Sequence, residues 1–292
     1  MGLDNFALNY ENDCKPVSGL RLSEFNLLSA EIYKLCGIQL PETKISLIEG
    51  RVRKRIKALG LKSFREYLDY WGTSTGKDRE LIPLINAVTT NKTDFFREKA
   101  HFDYLLETVL EEFDSSHGGN FTLWSAGCST GEEPYTLAML LKEYYENSRN
   151  NLFTIYATDI STDVLNIAID GVYNIESVEI IPFHLKKKYL LKSRNPERKV
   201  VRMCPEIRKA VNFSRINFME DDYKIPGNLD VVFCRNVLIY FDKFTQEKVL
   251  CKIADKMKNG GYLFLGHSET ILGMNLPLER VASTIYKKVQ DD

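Results

Sequence analysis

No apolar run in the sequence approaches the roughly 18 residues that a membrane-spanning helix needs, and the opening MGLDNFALNYENDCKP has neither a basic nor an apolar export-type segment. The chain is therefore expected to stay in the cytoplasm. Cysteine is scarce and scattered. Cys14, Cys36, Cys128, Cys204, Cys234 and Cys251 include no close pair, which argues against a zinc or redox motif and for reduced, mostly buried thiols; no metal is expected. Excess charge of either sign is also missing. With 39 Lys+Arg against 40 Asp+Glu the formal net charge is -1, so the positive surplus of a polyanion binder is absent and nucleic acid is an unfavourable partner. Only 9 Pro and 17 Gly, with no internal repeat and no long low-complexity tract, exclude collagen-like and wholly disordered readings. What remains, 292 residues at 44% hydrophobic and 27% charged, is a globular chain of one large or two modest domains.

The first part reads as helical. Ile45, Ile48, Val52, Ile56 and Leu59 recur at steps of three and four, which predicts a helix near 41 to 59. Its other faces carry Lys44, Arg51, Arg53, Lys54, Arg55 and Lys57, a concentration of cations in an otherwise balanced chain. Two readings are open for it: a solvated face, or a surface that steers an acidic partner. GTSTGKD, residues 72 to 78, collects Gly, Ser, Thr and Asp between two periodic stretches and is read as a loop, with the domain boundary just after it.

From residue 121 short β-rich runs alternate with helical ones: FTLWSAG, EEPYTLAMLLKEYY, LFTIYATDI, STDVLNIAIDG. That alternation implies right-handed crossovers and a parallel sheet covered on both faces. VNFSRINF, LDVVFCRN and GYLFLGHS supply three more strands, and KFTQEKVLCKIADKMKNGG reads as a helix that ends at Gly260. Residues 171 to 210 break the rhythm with a Lys/Arg-rich stretch whose NP signal separates two short runs able to pair as a hairpin, a small antiparallel excursion.

The strongest chemical signal is SAGCSTGEEPY, where a strand runs into small residues just before an amphipathic helix. In a parallel α/β sheet this first turn is where nucleotide-like cofactors sit. The three-glycine dinucleotide fingerprint is absent, and Glu132 with Glu133 would repel a pyrophosphate at the helix start, so a cationic or uncharged cofactor fits better. S-adenosylmethionine, with a sulfonium, an ammonium and no phosphate, meets that description. Asp159 at the next strand end is placed to accept from ribose hydroxyls or, alternatively, to cap the helix of STDVL. Upstream, NAVTTNKTDFFREKAHF is too polar for core and too aromatic for a linker, although its Asn and Thr could be helix caps. LDVVFCRNVLIYFD leaves a buried strand through Arg235 and Asn236 into Tyr240, either at a ligand crevice or at a strand end that simply turns.

Together TTNKTDFFRE with HF following, SAGCSTGEEPY, ATDIS, CRNVLIYFDK and GHSE, in that order between about residues 20 and 290, resemble the CheR family of chemotaxis receptor methyltransferases, the protein-glutamate O-methyltransferases. The resemblance implies a Rossmann-like, S-adenosylmethionine-dependent α/β methyltransferase sheet, an all-helical N-terminal domain and a small inserted antiparallel β-subdomain. On this segmentation residues 1–19 are a tail, 20–78 the helical domain and 79–292 the cofactor-binding domain, with the insertion at about 171–210. Matched block by block, the resemblance implies cofactor contacts from Asn91, Thr93, Arg97, Glu133 and Asp159, with Asn217 and Phe218 flanking the adenine. Arg235 and Asn236 fall beside the methionine portion, and Arg97 and Tyr240 nearest the transferred methyl. Cys128 in the small-residue turn is the visible departure, and it is small enough for binding to survive.

The reaction so implied is methyl transfer to glutamate carboxylates on a receptor's cytoplasmic helical bundle, leaving a methyl ester and S-adenosylhomocysteine. A carboxylate is already ionised at neutral pH, so Arg97 and Tyr240 would orient rather than act as a base. Arg51, Arg53, Lys54, Arg55 and Lys57 acquire a Glu-rich helical target. The 171–210 excursion resembles the part with which some members grip a tether at the receptor's C-terminus. No glycine occurs between Tyr173 and Asn217, which leaves open whether this hairpin accepts an added strand. A methyltransferase for nucleic acid or small molecules is disfavoured by the neutral charge and by the lack of a DPPY-like sequence after the fourth strand. An adaptor without catalysis is disfavoured by the intact Arg97, Glu133, Asp159 and Tyr240, and a nicotinamide oxidoreductase by the missing glycines.

Overall fold

The computed structural model describes residues 19–116, 119–146, 152–195 and 197–290; the expected 1–19 tail (but for Gly19), Cys14 and the proline of the NP signal lie outside them. The chain divides into two compact units, one holding the residues up to Ser29 together with Pro41–Val88, the other Ala30–Leu40 and Thr89 onward.

The first unit draws on helices α1 (Leu22–Cys36), α2 (Ile45–Ala58), α3 (Phe64–Trp71) and α4 (Ser74–Val88). Ile48, Val52 and Ile56 are fully buried on α2, the i, i+4 stripe expected from the sequence. Phe25 and Leu28 of α1, Phe64, Tyr67 and Trp71 of α3, and Leu84, Ile85 and Val88 of α4 are buried with them. The loop expected at 72–78 is instead mostly helix, since α4 begins at Ser74. Thr73 Oγ1 accepts the Gly76 amide at 2.9 Å, so the Ser/Thr/Gly cluster is N-cap chemistry, which uses the same residues as a loop. Gly76 is required because a Cβ there would collide with the Tyr70 carbonyl. The helix carries the chain to Val88, where the two compact units change over.

In the second unit α5 (Lys99–Tyr104), a π-helical turn (Leu105–Val109) and α6 (Leu110–Ser116) precede β1 (Asn120–Ala126). Then follow α7 (Glu132–Tyr144), β2 (Leu152–Asp159) and α8 (Thr162–Asp170). The excursion contains β3 (Val172–Asn174), α9 (Phe183–Tyr189), β4 (Leu190–Lys192), β5 (Val200–Met203) and α10 (Pro205–Lys209). The chain returns through β6 (Val211–Arg215), β7 (Leu229–Cys234), a 3-10 turn (Leu238–Tyr240) and α11 (Lys243–Lys256). It ends in β8 (Met257–Leu265), β9 (Leu278–Ala282) and β10 (Ile285–Lys288).

Seven strands form one sheet in the order β6-β2-β1-β7-β8-β10-β9. Its first five strands pair in parallel, and β10 runs antiparallel to both neighbours. The excursion is a separate three-stranded antiparallel sheet, β3-β5-β4, in which the expected hairpin is β4 with β5. Alternate residues of the main strands supply two cores: Leu123, Val231 and Phe264 join one, Trp124, Val232 and Leu265 the other. The helix expected to end at Gly260 stops at Lys256, and the two glycines lie inside β8. Gly260 has φ +78°, and a Cβ on Gly261 would come within 3.0 Å of the Leu229 carbonyl. The β7·β8 register slips between Leu229 and Val231. These glycines form a bulge, not a helix cap.

Strand order reverses at β1, whose neighbours are β2 on one side and β7 on the other. The crevice at such a reversal, beyond the carboxyl ends of the strands, is the one place in the sheet where diverging loops leave room for a ligand.

Candidate active site

β1 leads into Gly127, Cys128, Ser129, Thr130 and Gly131 before α7. The amides of Gly127 and Cys128 both donate to the Thr158 carbonyl at 2.8 Å, and Trp124 Nε1 donates to Thr158 Oγ1 at 2.9 Å, locking the turn to the end of β2. Gly131 has φ +95°, and a Cβ there would stand 2.9 Å from Ala168 Cβ and 3.0 Å from the Tyr173 hydroxyl. Cys128 is buried, and burial followed by the charges of Asp159 and Glu133 pushes its thiol well above the ordinary range, so it is a spacer and not a nucleophile.

Asp159 closes β2. Its Oδ2 accepts the Ser129 amide and its Oδ1 the Ser161 amide, each at 2.9 Å. Asp159 thus braces the residue before α8, whose N-cap is Ser161, and also pins the small-residue turn. Burial raises its pKa, and these backbone donors pull it back. Ser129 Oγ in turn donates to the Asn91 carbonyl at 2.9 Å, which brings the TTNKTDFFRE segment against the same turn. Asn91 Nδ2 reaches Thr89 Oγ1 at 3.4 Å, and Thr93 is half-buried in that segment.

The centre of the site is a buried guanidinium. Arg235, 6% exposed, stands 3.2 Å from Glu133 Oε2 through Nη1 and 3.1 Å from Glu98 Oε2 through Nη2, which also donates to the Arg97 carbonyl. The rings of Phe102 and Phe233 lie 5.4 and 5.8 Å from its central carbon. Glu133 Oε1 accepts from Ser125 Oγ at 2.7 Å. Burial raises the Glu133 pKa against the pull of Arg235, while Glu98, also opposed by burial, is held below its ordinary value by Arg235 and His267. Arg97 lies near enough to Glu133 to favour its charge, and its Nη1 donates to the Lys92 carbonyl at 3.2 Å. Left-handed Phe96 (φ 54°) and Glu98 (φ 57°) flank it, giving the segment a sharp double bend.

Carboxylates outnumber guanidiniums here: Glu98, Glu132, Glu133 and Asp159 against Arg97 and Arg235. A ligand of positive charge completes the balance, and one bearing phosphate worsens it. The donor set therefore fits S-adenosylmethionine.

Of the remaining expected residues, Asn217 uses both ends of its side chain: Nδ2 donates to the distant Leu35 carbonyl at 2.7 Å and Oδ1 accepts the Met219 amide at 3.0 Å. Phe218 is a core residue packed near Trp124, Tyr223 and Phe241. Asn236 is left-handed, with φ 59°. Tyr240, half-buried, ends the 3-10 turn, and its carbonyl accepts the Gln39 amide at 2.8 Å.

Sequence reasoning assigned no role to Glu98, His101 or Glu269, although all three stand in quoted motifs. His101 is buried, its Nε2 3.0 Å from Thr284 Oγ1, and burial together with Arg235 lowers its pKa to about 4. Glu98, His101 and His267 offer donor atoms within 4.8 Å of one another, a spacing able to hold a metal, but Arg235 already occupies the Glu98 carboxylate as its cation.

Residues 91–287 match the family described as CheR methyltransferase, SAM binding domain, and residues 23–89 match CheR methyltransferase, all-alpha domain. The chain is 42% identical over 270 residues to the chemotaxis protein methyltransferase of Borreliella burgdorferi, covering 91% of this chain and 94% of that protein. It is 38% identical over 263 residues to chemotaxis protein methyltransferase 2 of Pseudomonas aeruginosa, covering 90% and 92%. With the chemotaxis protein methyltransferase of Salmonella typhimurium the identity is 35% over 269 residues, covering 92% and 91%. A sheet that reverses at β1, an acid-rich crevice suited to a cationic cofactor and these matches agree, and the chain belongs to the CheR family of S-adenosylmethionine-dependent methyltransferases.

Proposed function

We propose that the protein transfers a methyl group to glutamate side chains on the cytoplasmic helical bundle of chemoreceptors, yielding glutamate methyl esters for sensory adaptation. The observation that carries this reading is the surplus of largely buried carboxylate from Glu98, Glu132, Glu133 and Asp159 around the small-residue turn, in a chain whose relatives are named chemotaxis protein methyltransferases. S-adenosylmethionine supplies, when bound, a methyl group on a positively charged sulfur. Glu133 and Asp159 offer carboxylate oxygens to its ammonium and ribose, with Asn91, Thr93, Arg235 and Asn236 completing the cradle. Asn217 and Phe218, whose side chains are used elsewhere, serve the adenine through their backbone. Arg97 attracts the incoming glutamate carboxylate and Tyr240 orients it. No proton has to leave the nucleophile, so the work of these residues is alignment and exclusion of water, worth about 7 to 11 kcal/mol at best.

The partner would approach through the exposed cations of α2, and a receptor C-terminal peptide would add beside the edge strand β4, where Leu191 and Lys192 are exposed. Among the described residues no helix is long and apolar enough to cross a membrane, in keeping with action at the receptor's cytoplasmic portion.

The test is transfer of labelled methyl to a receptor cytoplasmic fragment, with release of methanol by mild alkali. Base-labile label on glutamate is the expected result; alkali-stable label, or none despite binding of S-adenosylhomocysteine, defeats the reading. Tyr240→Phe should lower turnover more than cofactor affinity, and unchanged turnover removes Tyr240 from the catalytic set.

A further inference from the structure

The segment Arg235–Tyr240 faces a backbone problem. It leaves β7 through a buried arginine and a left-handed Asn236, then enters a 3-10 turn whose first amides have no carbonyl behind them. One side chain answers it. Glu269, 5% exposed, accepts the amides of Asn236 at 2.9 Å and Gly266 at 2.7 Å on Oε2, and those of Leu238 at 2.7 Å and Ile239 at 3.4 Å on Oε1. Its own amide returns to the Gly266 carbonyl at 2.9 Å. Gly266 follows β8 directly, and Leu265 is in register with Cys234 at the end of β7, so the one carboxylate ties together the ends of two neighbouring strands. A Cβ on Gly266 would lie 2.9 Å from the Asn236 amide nitrogen and 3.0 Å from Glu269 Oε2, leaving only glycine able to stand between them. Burial pushes the Glu269 carboxyl up, and the four amides pull it back toward ionisation.

We propose that Glu269 is a positioning residue for methyl transfer: it holds the Arg235–Tyr240 segment so that Tyr240 and the Asn236 backbone face the reacting groups. The assignment rests on the reading of that segment as the methyl side of the site. Glu269 touches neither substrate nor cofactor, and acts through the four amides.

Glutamine is the discriminating substitution, because it keeps the volume but turns an NH2 group toward amides that need acceptors. If Glu269 only fills space, Glu269→Gln behaves as native. If it positions, turnover falls by about 100-fold, the cost of a displacement near 1 Å, while the KM for a receptor fragment holds within about twofold. Glu269→Asp, which keeps the charge, should regain part of the loss. Turnover of folded Glu269→Gln within about threefold of native overturns the proposal. Should that variant not fold, hydrogen exchange in the native protein decides: slow exchange at Asn236, Leu238 and Gly266 supports the clamp, and exchange at the rate of an open loop overturns it. Tyr240→Phe separates the two levels. Lost turnover there with none lost in Glu269→Gln removes the clamp alone, whereas full turnover in both removes the reading of the segment as well.

Discussion

Two regions of this molecule concentrate charge, and they use it in opposite ways. At the end of β1 the charges are buried and counted: Arg235 is held between Glu98 and Glu133, and the remaining carboxylate surplus is what a cationic ligand would meet. On α2 five of the seven residues in RVRKRIK are cationic, yet the fold divides them. Arg55 bonds the buried Glu80 through Nε at 3.0 Å and Nη2 at 2.6 Å, and the Tyr67 hydroxyl joins the same carboxylate at 3.3 Å. Arg51 donates to the Val88 carbonyl at 2.5 Å, and Arg53 pairs with Glu49. Lys54 and Lys57 are exposed. Position relative to solvent, not membership of a run, decides whether a cation builds the fold or faces water.

The largest effect is expected from Arg235→Ala. Removing the guanidinium leaves two buried carboxylates facing each other, which should cost about 3 to 5 kcal/mol of stability and abolish tight S-adenosylhomocysteine binding. Thermal unfolding and calorimetric titration read the two losses. A variant that melts as the native protein does would mean that Glu98 and Glu133 are not charged together in the folded state.

His101 tests the same region by pH. Its folded pKa, about 4, lies below the unfolded value of 6.5, so in the interval between them the unfolded chain binds the additional proton. Stability is fully retained above about 6.5 and is lost as pH falls toward 4, by about 3 kcal/mol. Glu98 attracts the proton, but burial, Arg235 and His267 oppose it more strongly. Urea unfolding of His101→Gln should show a shallower decline over that interval than the native protein, and parallel declines would refute a buried neutral imidazole.

Arg55→Ala comes next. It strands Glu80, 1% exposed, among apolar residues of the helical unit, at a cost of about 2 to 3 kcal/mol, and any loss of methylation would follow the loss of fold. Reversing Arg55 is therefore a poor probe of docking, a fact invisible in the sequence, where all five cations look alike.

That failure shows where sequence reading stops. The five parallel strands and the small-residue turn were legible because buried parallel strands are continuous apolar runs and ligand turns are built from small residues, whereas the short antiparallel strands β9 and β10 were not read. Asp159 at the end of β2 and Glu133 in the first turn of α7 stood out in the sequence because they are acids beside a turn of small residues. Residues 72–78 and 257–260 misled because Gly, Ser and Thr serve loops, helix caps and bulges alike, and only the acceptor of the Gly76 amide or the register beside Leu229 separates them. Glu98, His101 and Glu269 escaped because their meaning lies in partners about 30 to 180 positions away, Arg235, Thr284 and the Asn236 amide among them. The contacts of Phe218 with Trp124 and of the Asn217 side chain with the Leu35 carbonyl escaped for the same reason.

The smallest expected effect is also the one that isolates docking from folding. Lys54 and Lys57 stand one helical turn apart and are exposed, so Lys54→Glu with Lys57→Glu should leave stability within about 0.5 kcal/mol and cofactor affinity unchanged. Against a Glu-rich receptor helix the reversal converts two weak attractions into repulsions, about 1 kcal/mol in all, which raises the KM for a receptor fragment several-fold at low salt. Because the Debye length contracts from about 10 Å at 0.1 M salt to about 3 Å at 1 M, the gap between variant and native should close as salt rises. A KM that does not change at low salt would mean that α2 carries its exposed lysines only as a solvated face.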